Sequence, residues 1–146
     1  IEPLFHLAQS RADSKRLVAL KSKALGEARL CYDHLAGRLG VAITSALVSQ
    51  RFLMPNRRDY KLTSSGEAFF VKLGIDVGIV RSKRRLFARQ CLDWSERKPH
   101  LSGALGAAFT GYAFTHQWIR RTNRRRVIKL TDEGRVAMKD CLELSL

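Results

Sequence analysis

Two short stretches hold the side chains best suited to chemistry. Cys31, Asp33 and His34 stand almost side by side, and Cys91, Asp93, Glu96 and His100 form a second group. Thiolate, imidazole and carboxylate are donors that transition metals accept, so Cys31, Asp33, His34, Cys91, Asp93 and His100 are a candidate metal or effector site. The first three lie too close in sequence to share a helix face or to wrap a tetrahedral ion by themselves. A plainer reading is also open: cysteines packed as small apolar groups, with acids and imidazoles hydrogen-bonded to helix ends. Covalent catalysis by Cys31 with His34, or Cys91 with His100, needs an oxyanion-stabilising loop or a nucleophile elbow, and neither accompanies them. Gly37-x-x-Gly40 and Gly103-x-x-Gly106 are too short to cradle a phosphate and suit close helix packing. No enzymatic activity is expected, and apart from a transition metal no cofactor is.

Both groups belong to a larger repetition. Ala28-Arg29-Leu30-Cys31-Tyr32-Asp33 recurs as Ala88-Arg89-Gln90-Cys91-Leu92-Asp93. His34-Leu35-Ala36-Gly37-Arg38-Leu39-Gly40 recurs as His100-Leu101-Ser102-Gly103-Ala104-Leu105-Gly106, and Leu62-Thr63-Ser64-Ser65-Gly66 as Leu130-Thr131-Asp132-Glu133-Gly134. The order is kept while the offset grows, through an insertion from Trp94 to Pro99 and two further residues later. Such ordered matches imply one ancestral unit in two copies.

The elements that position these residues follow from pattern. Leu35, Leu39, Ile43 and Leu47 recur at helical spacing, which predicts a helix over 28–48 that Gly37 and Gly40 weaken. Phe52 to Met54, a turn at Pro55-Asn56-Arg57-Arg58, and Asp59 to Leu62 predict a hairpin with an arginine tip. Thr63 or Ser64 then caps a helix that Gly74 closes. The second copy predicts a helix over 100–116, a strand at Trp118-Ile119, a tip at 122–126, a strand over 127–130 and a helix capped by Thr131 or Asp132. Phe52 and Trp118 occupy equivalent positions and are expected to fill the core under their hairpins, as are the other large aromatics, Trp94 included. A pocket between the copies is their alternative use. His6 and His116 read as ordinary helix residues. Ile1 to Leu25 predict a short helix and linker.

Charge narrows the function. The 146 residues carry 27 Lys+Arg against 13 Asp+Glu, a formal charge of +14, with 45% hydrophobic residues. Such a chain is globular and has a polyanion as its default partner. Arginine clusters at 57–58, 81–89 and 120–126, and its fork suits phosphate better than lysine does. Arg57, Arg58, Arg124, Arg125 and Arg126 are the expected contacts to the phosphates of double-stranded DNA. Every apolar run is interrupted by charge before it could span a bilayer, and no signal-peptide leader opens the chain. The odd cysteine count without C-x-x-C spacing fits a reducing cytoplasm.

The string from Ala28 to Val41 resembles a signature of one group of bacterial ArsR-type transcriptional regulators. Cys91 to Arg97 followed by His100 to Gly106 resembles a second signature of that group, in the family's order. The resemblance implies a homodimeric winged helix-turn-helix regulator that responds to a small effector, with these motifs in a C-terminal extension. It places Ile1 to Gln9 at the end of the N-terminal module, so neither a recognition helix nor the family's metal-sensing cysteine motif maps onto these residues.

The expected architecture is α+β and mainly helical, two tandem winged-helix-like units related by pseudo-twofold symmetry. Residues 1–25 would be the N-terminal helix and linker of an upstream module, 26–80 copy one and 81–146 copy two. The expected function is the C-terminal part of a DNA-binding regulator. The alternatives are an effector- or metal-sensing and dimerisation module that never touches DNA, and an RNA- or ribosome-associated basic protein.

Overall fold

The computed structural model describes residues 27–146; the helix expected within 1–25, with His6, lies outside them. The described chain begins with a hairpin, β1 (Arg29–Cys31) and β2 (His34–Ala36), followed by helix α1 (Gly37–Ser49). A second hairpin, β3 (Leu53–Asn56) and β4 (Asp59–Leu62), leads to α2 (Ser64–Leu73). After the short α3 (Val77–Ser82) the order recurs: hairpin β5 (Arg89–Leu92) and β6 (Pro99–Ser102), helix α4 (Gly103–Thr115), hairpin β7 (Ile119–Arg121) and β8 (Ile128–Leu130), helix α5 (Asp132–Leu142).

Two expectations are corrected by this order. Five helices and eight strands in three antiparallel sheets make the described residues α+β rather than mainly helical. Nor are the units winged-helix-like. A winged helix places a pair of helices ahead of its hairpin, whereas each half here opens on a hairpin and has one helix between two hairpins. The predicted helix over 28–48 therefore starts only at Gly37. Tyr32 takes φ 60° in the two-residue turn after Cys31, and Gly37 takes φ 73°, so the chain cannot run helically through either point. Gly103 repeats this at φ 78°, and the predicted helix over 100–116 is a strand up to Ser102. A side chain at either glycine would be strained, which fixes where each helix begins.

Other local signals hold. Asn56 and Asp59 are opposed across the Arg57-Arg58 tip. Thr63 and Thr131 cap α2 and α5 by accepting from the backbone N–H of Gly66 and Gly134 at 3.0 and 2.9 Å. Gly74 closes α2 at φ 110°.

The halves are stitched reciprocally. Across β4 and β5, Tyr60 N–H donates to Ala88 O at 3.0 Å and Gln90 N–H to Arg58 O at 2.9 Å. At β8 and β1, Ile128 N–H donates to Ala28 O at 3.1 Å and Leu30 N–H to Arg126 O at 2.8 Å. The later hairpin of each half thus completes the edge of the other half's first hairpin. One core runs beneath, with Leu47, Phe70, Leu105 and Met138 wholly buried, each contributing about 1.5–3 kcal/mol by the area it removes from water. Phe70, Phe109 and Trp118 meet edge to face, while Phe52 stacks on Phe69 at 4.6 Å. Trp94 departs from the core expectation: it is 63% exposed and lies under the Arg29 guanidinium at 4.7 Å. His116 ends α4 and stacks on Tyr112 at 4.0 Å.

Candidate functional site

The first hairpins of the two halves face each other, and their cross-strand pairs build the candidate site. Cys31 sits opposite His34 on β1 and β2, and Cys91 opposite His100 on β5 and β6. The near-adjacency that looked unsuitable on a helix becomes a cross-strand pair, whose side chains project from one face. The four donor atoms all lie within 4.8 Å of one another. His34 Nε2 meets His100 Nε2 at 3.0 Å, with both rings buried.

Helices α1 and α4 permit this approach. A Cβ on Gly40 would overlap the Leu35 carbonyl and stand 3.6 Å from His100 Cβ; one on Gly106 would stand 2.6 Å from Leu101 O and 3.4 Å from His34 Cβ. Each helix glycine therefore lies against the histidine of the opposite half. Thr44 Oγ1 donates to Gly40 O at 2.8 Å and accepts Leu101 N–H at 2.8 Å. Thr110 Oγ1 donates to Gly106 O at 2.8 Å and accepts Leu35 N–H at 3.0 Å. Residue types alone did not single out these threonines, although both stand four residues after a repeated glycine.

The acids stand behind the imidazoles. Asp93 is wholly buried and accepts from Arg29 at 2.8 Å, from Gly37 N–H at 2.7 Å, and from the Ser95 hydroxyl and Glu96 N–H at 2.6 and 2.9 Å. Its Oδ1 lies 3.1 Å from His100 Nδ1, within ion-pair reach but off line for a hydrogen bond. Burial alone would raise the Asp93 carboxyl, but the Ser95, Gly37 and Glu96 hydrogen bonds and the Arg29 charge outweigh it and hold it at about 2. Asp33, about a third exposed, pairs with Arg85 at 2.6 Å and lies 3.4 Å from His34 Nδ1. Burial raises it too, and the bonds from Arg85 and His34 leave it below the usual carboxylate range.

Burial keeps both imidazoles neutral. It drives His100 down to about 4, helped by His34, and lowers His34 against the pull of Asp33. Burial and the neighbouring Cys31 push the Cys91 thiol up to about 11. Two neutral imidazoles and two cysteine sulfurs thus share one cluster, with the carboxylates behind the rings rather than among them. Glu96 lies outside it, 3.7 Å from Arg38.

The arginines stand elsewhere. Arg57 and Arg58 form one hairpin tip and Arg124, Arg125 and Arg126 the other, all exposed, and no ion pair among the described residues engages them. Arg57 at φ 57° and Arg126 at φ 70° both take left-handed turn conformations.

Across all 146 residues the chain is 41% identical to a Bacillus subtilis (strain 168) protein named an uncharacterized HTH-type transcriptional regulator, YdfF, and it spans 65% of that protein's length. No family model and no solved structure matches the chain. No helix among the described residues is long and apolar enough to cross a membrane.

Proposed function

We propose that the chain is the C-terminal region of a DNA-binding transcriptional regulator of ArsR type, not an enzyme, acting as a cytoplasmic homodimer on double-stranded DNA. The 41% identity to an HTH-type transcriptional regulator, sustained over every residue, carries this reading. The two ArsR-like signatures and the +14 charge support it. In this reading Arg57, Arg58, Arg124, Arg125 and Arg126 rest against phosphates flanking the operator, adding affinity without reading bases. An effector acts by binding two conformations unequally, since equal binding shifts neither.

The test is a duplex-DNA titration across salt concentrations. Replacing the five tip arginines by alanine is expected to weaken binding and to flatten the plot of log affinity against log salt, by up to about 4 in slope. An unchanged affinity and slope would overturn the tip contacts. The Cys/His cluster favours a second reading, a sensing and dimerisation module that leaves DNA to the rest of the regulator. That module would show the unchanged slope.

A further inference from the structure

We infer that Cys31, His34, Cys91 and His100 form a site for one tetrahedral divalent transition metal of the zinc class, held between the two halves of the chain. The inference rests on donor geometry and stands whether or not the tips touch DNA.

Size is the first argument. Bonds of about 2.0–2.1 Å to imidazole and about 2.3 Å to thiolate put tetrahedral ligands roughly 3.3–3.8 Å apart. The observed donors, with 3.0 Å between the two Nε2 atoms and none beyond 4.8 Å, need shifts of only about 1 Å to accept an ion. Ligand type is the second. Binding would release the two thiol protons to solvent, and the resulting two thiolates with two neutral imidazoles make a soft, borderline set that suits zinc and disfavours calcium or magnesium. They neutralise a divalent ion, so no net charge would be left buried.

Tautomers supply the third argument. Both Nδ1 atoms lie near carboxylates, Asp33 at 3.4 Å and Asp93 at 3.1 Å though off line, and a metal on Nε2 would select the tautomer with a proton on each Nδ1. In that tautomer the two Nε2 atoms, 3.0 Å apart, would turn lone pairs toward each other in place of the hydrogen bond that another tautomer makes. A cation between them removes that repulsion, and carboxylates behind ligating histidines are the usual outer shell of a zinc site. Each first hairpin supplies one cysteine and one histidine, so the ion would clamp the halves together.

The chain, reduced with a non-chelating phosphine and stripped by a chelator, is titrated with Co²⁺ and then Zn²⁺. One Co²⁺ per chain is expected, with tetrahedral d–d bands and a thiolate charge-transfer band, displaced by Zn²⁺. C31S and C91S should weaken uptake at least tenfold, while C141S leaves it unchanged. Because a cysteine variant can fail to fold, alkylation of the wild-type chain gives a second readout. Zn²⁺ should protect Cys31 and Cys91 and leave the rate at Cys141 unaltered. Octahedral or substoichiometric cobalt, or equal alkylation of all three cysteines with and without Zn²⁺, would overturn the site.

Discussion

The two halves of the chain share a register but not a fate at every position. Arg29, Leu30 and Cys31 oppose Ala36, Leu35 and His34, and Arg89, Gln90 and Cys91 oppose Ser102, Leu101 and His100 in the same arrangement. Thr44 and Thr110 make matching bonds, as do the caps Thr63 and Thr131. Arg29 and Arg89, however, part company: the first is buried on Asp93, the second exposed. Asp33 and Asp93 differ likewise, because the longer loop after Asp93 brings Ser95 and Glu96 round to close over it. Residue and role agree where glycine and threonine of each half pack on the other; at the ion pairs that cross the same seam they diverge.

The largest contrast is expected at the aspartates. Asp93→Ala leaves the buried Arg29 guanidinium and the Gly37 N–H without their acceptor and should cost about 3–5 kcal/mol, read by urea denaturation. A loss under about 1 kcal/mol would show that the buried ion pair does not hold the halves. The same carboxylate gives a pH signature. Its folded value of about 2 lies below the ordinary 3.8, so its stabilisation is complete above about pH 4 and disappears as pH falls through 2. That contribution is about 2 kcal/mol. Acid denaturation of the chelator-treated chain should show it, and Asp93→Ala should flatten the curve over that range.

Thr44→Val and Thr110→Val test the agreement at the seam. Each keeps the side-chain shape but removes the acceptor for a buried backbone N–H, Leu101 in one case and Leu35 in the other. A cost of about 1–3 kcal/mol is expected for each. The two values should lie within about 1 kcal/mol of each other, and widely unequal ones would break the equivalence of the halves.

How much of this was legible depended on how local the deciding forces were. The Arg57-Arg58 tip, the Thr63 and Thr131 caps and the Gly74 stop are settled within a few residues, so turn and cap chemistry reveals them. The first hairpins are settled at long range. Leu35 continues the helical stripe of Leu39, Ile43 and Leu47, yet a strand also buries it, and β1 takes its outer edge from Arg126 and Ile128, far along the chain. Periodicity cannot weigh that pairing, so a helix over 28–48 was the natural expectation. The site shows the same divide. Residue types identified Cys31, His34, Cys91 and His100, but only the facing hairpins bring them within 4.8 Å. Arg29, Arg85 and the two threonines act through partners that no local pattern announces.

Asp33→Ala should have the smallest effect, and it bears on the outer shell. Asp33 keeps about a third of its side chain in solvent and so does Arg85, so water takes over what the pair loses, and the cost should stay under about 1 kcal/mol. Stability alone would then call Asp33 dispensable beside Asp93. Its place behind His34 Nδ1 predicts otherwise for metal uptake. If that carboxylate orients the ring, Asp33→Ala should weaken cobalt binding by about tenfold or more in a chain whose urea midpoint has hardly moved. Unchanged uptake would confine Asp33 to its surface pair with Arg85, and the halves would then differ in their outer shell as they do in burial.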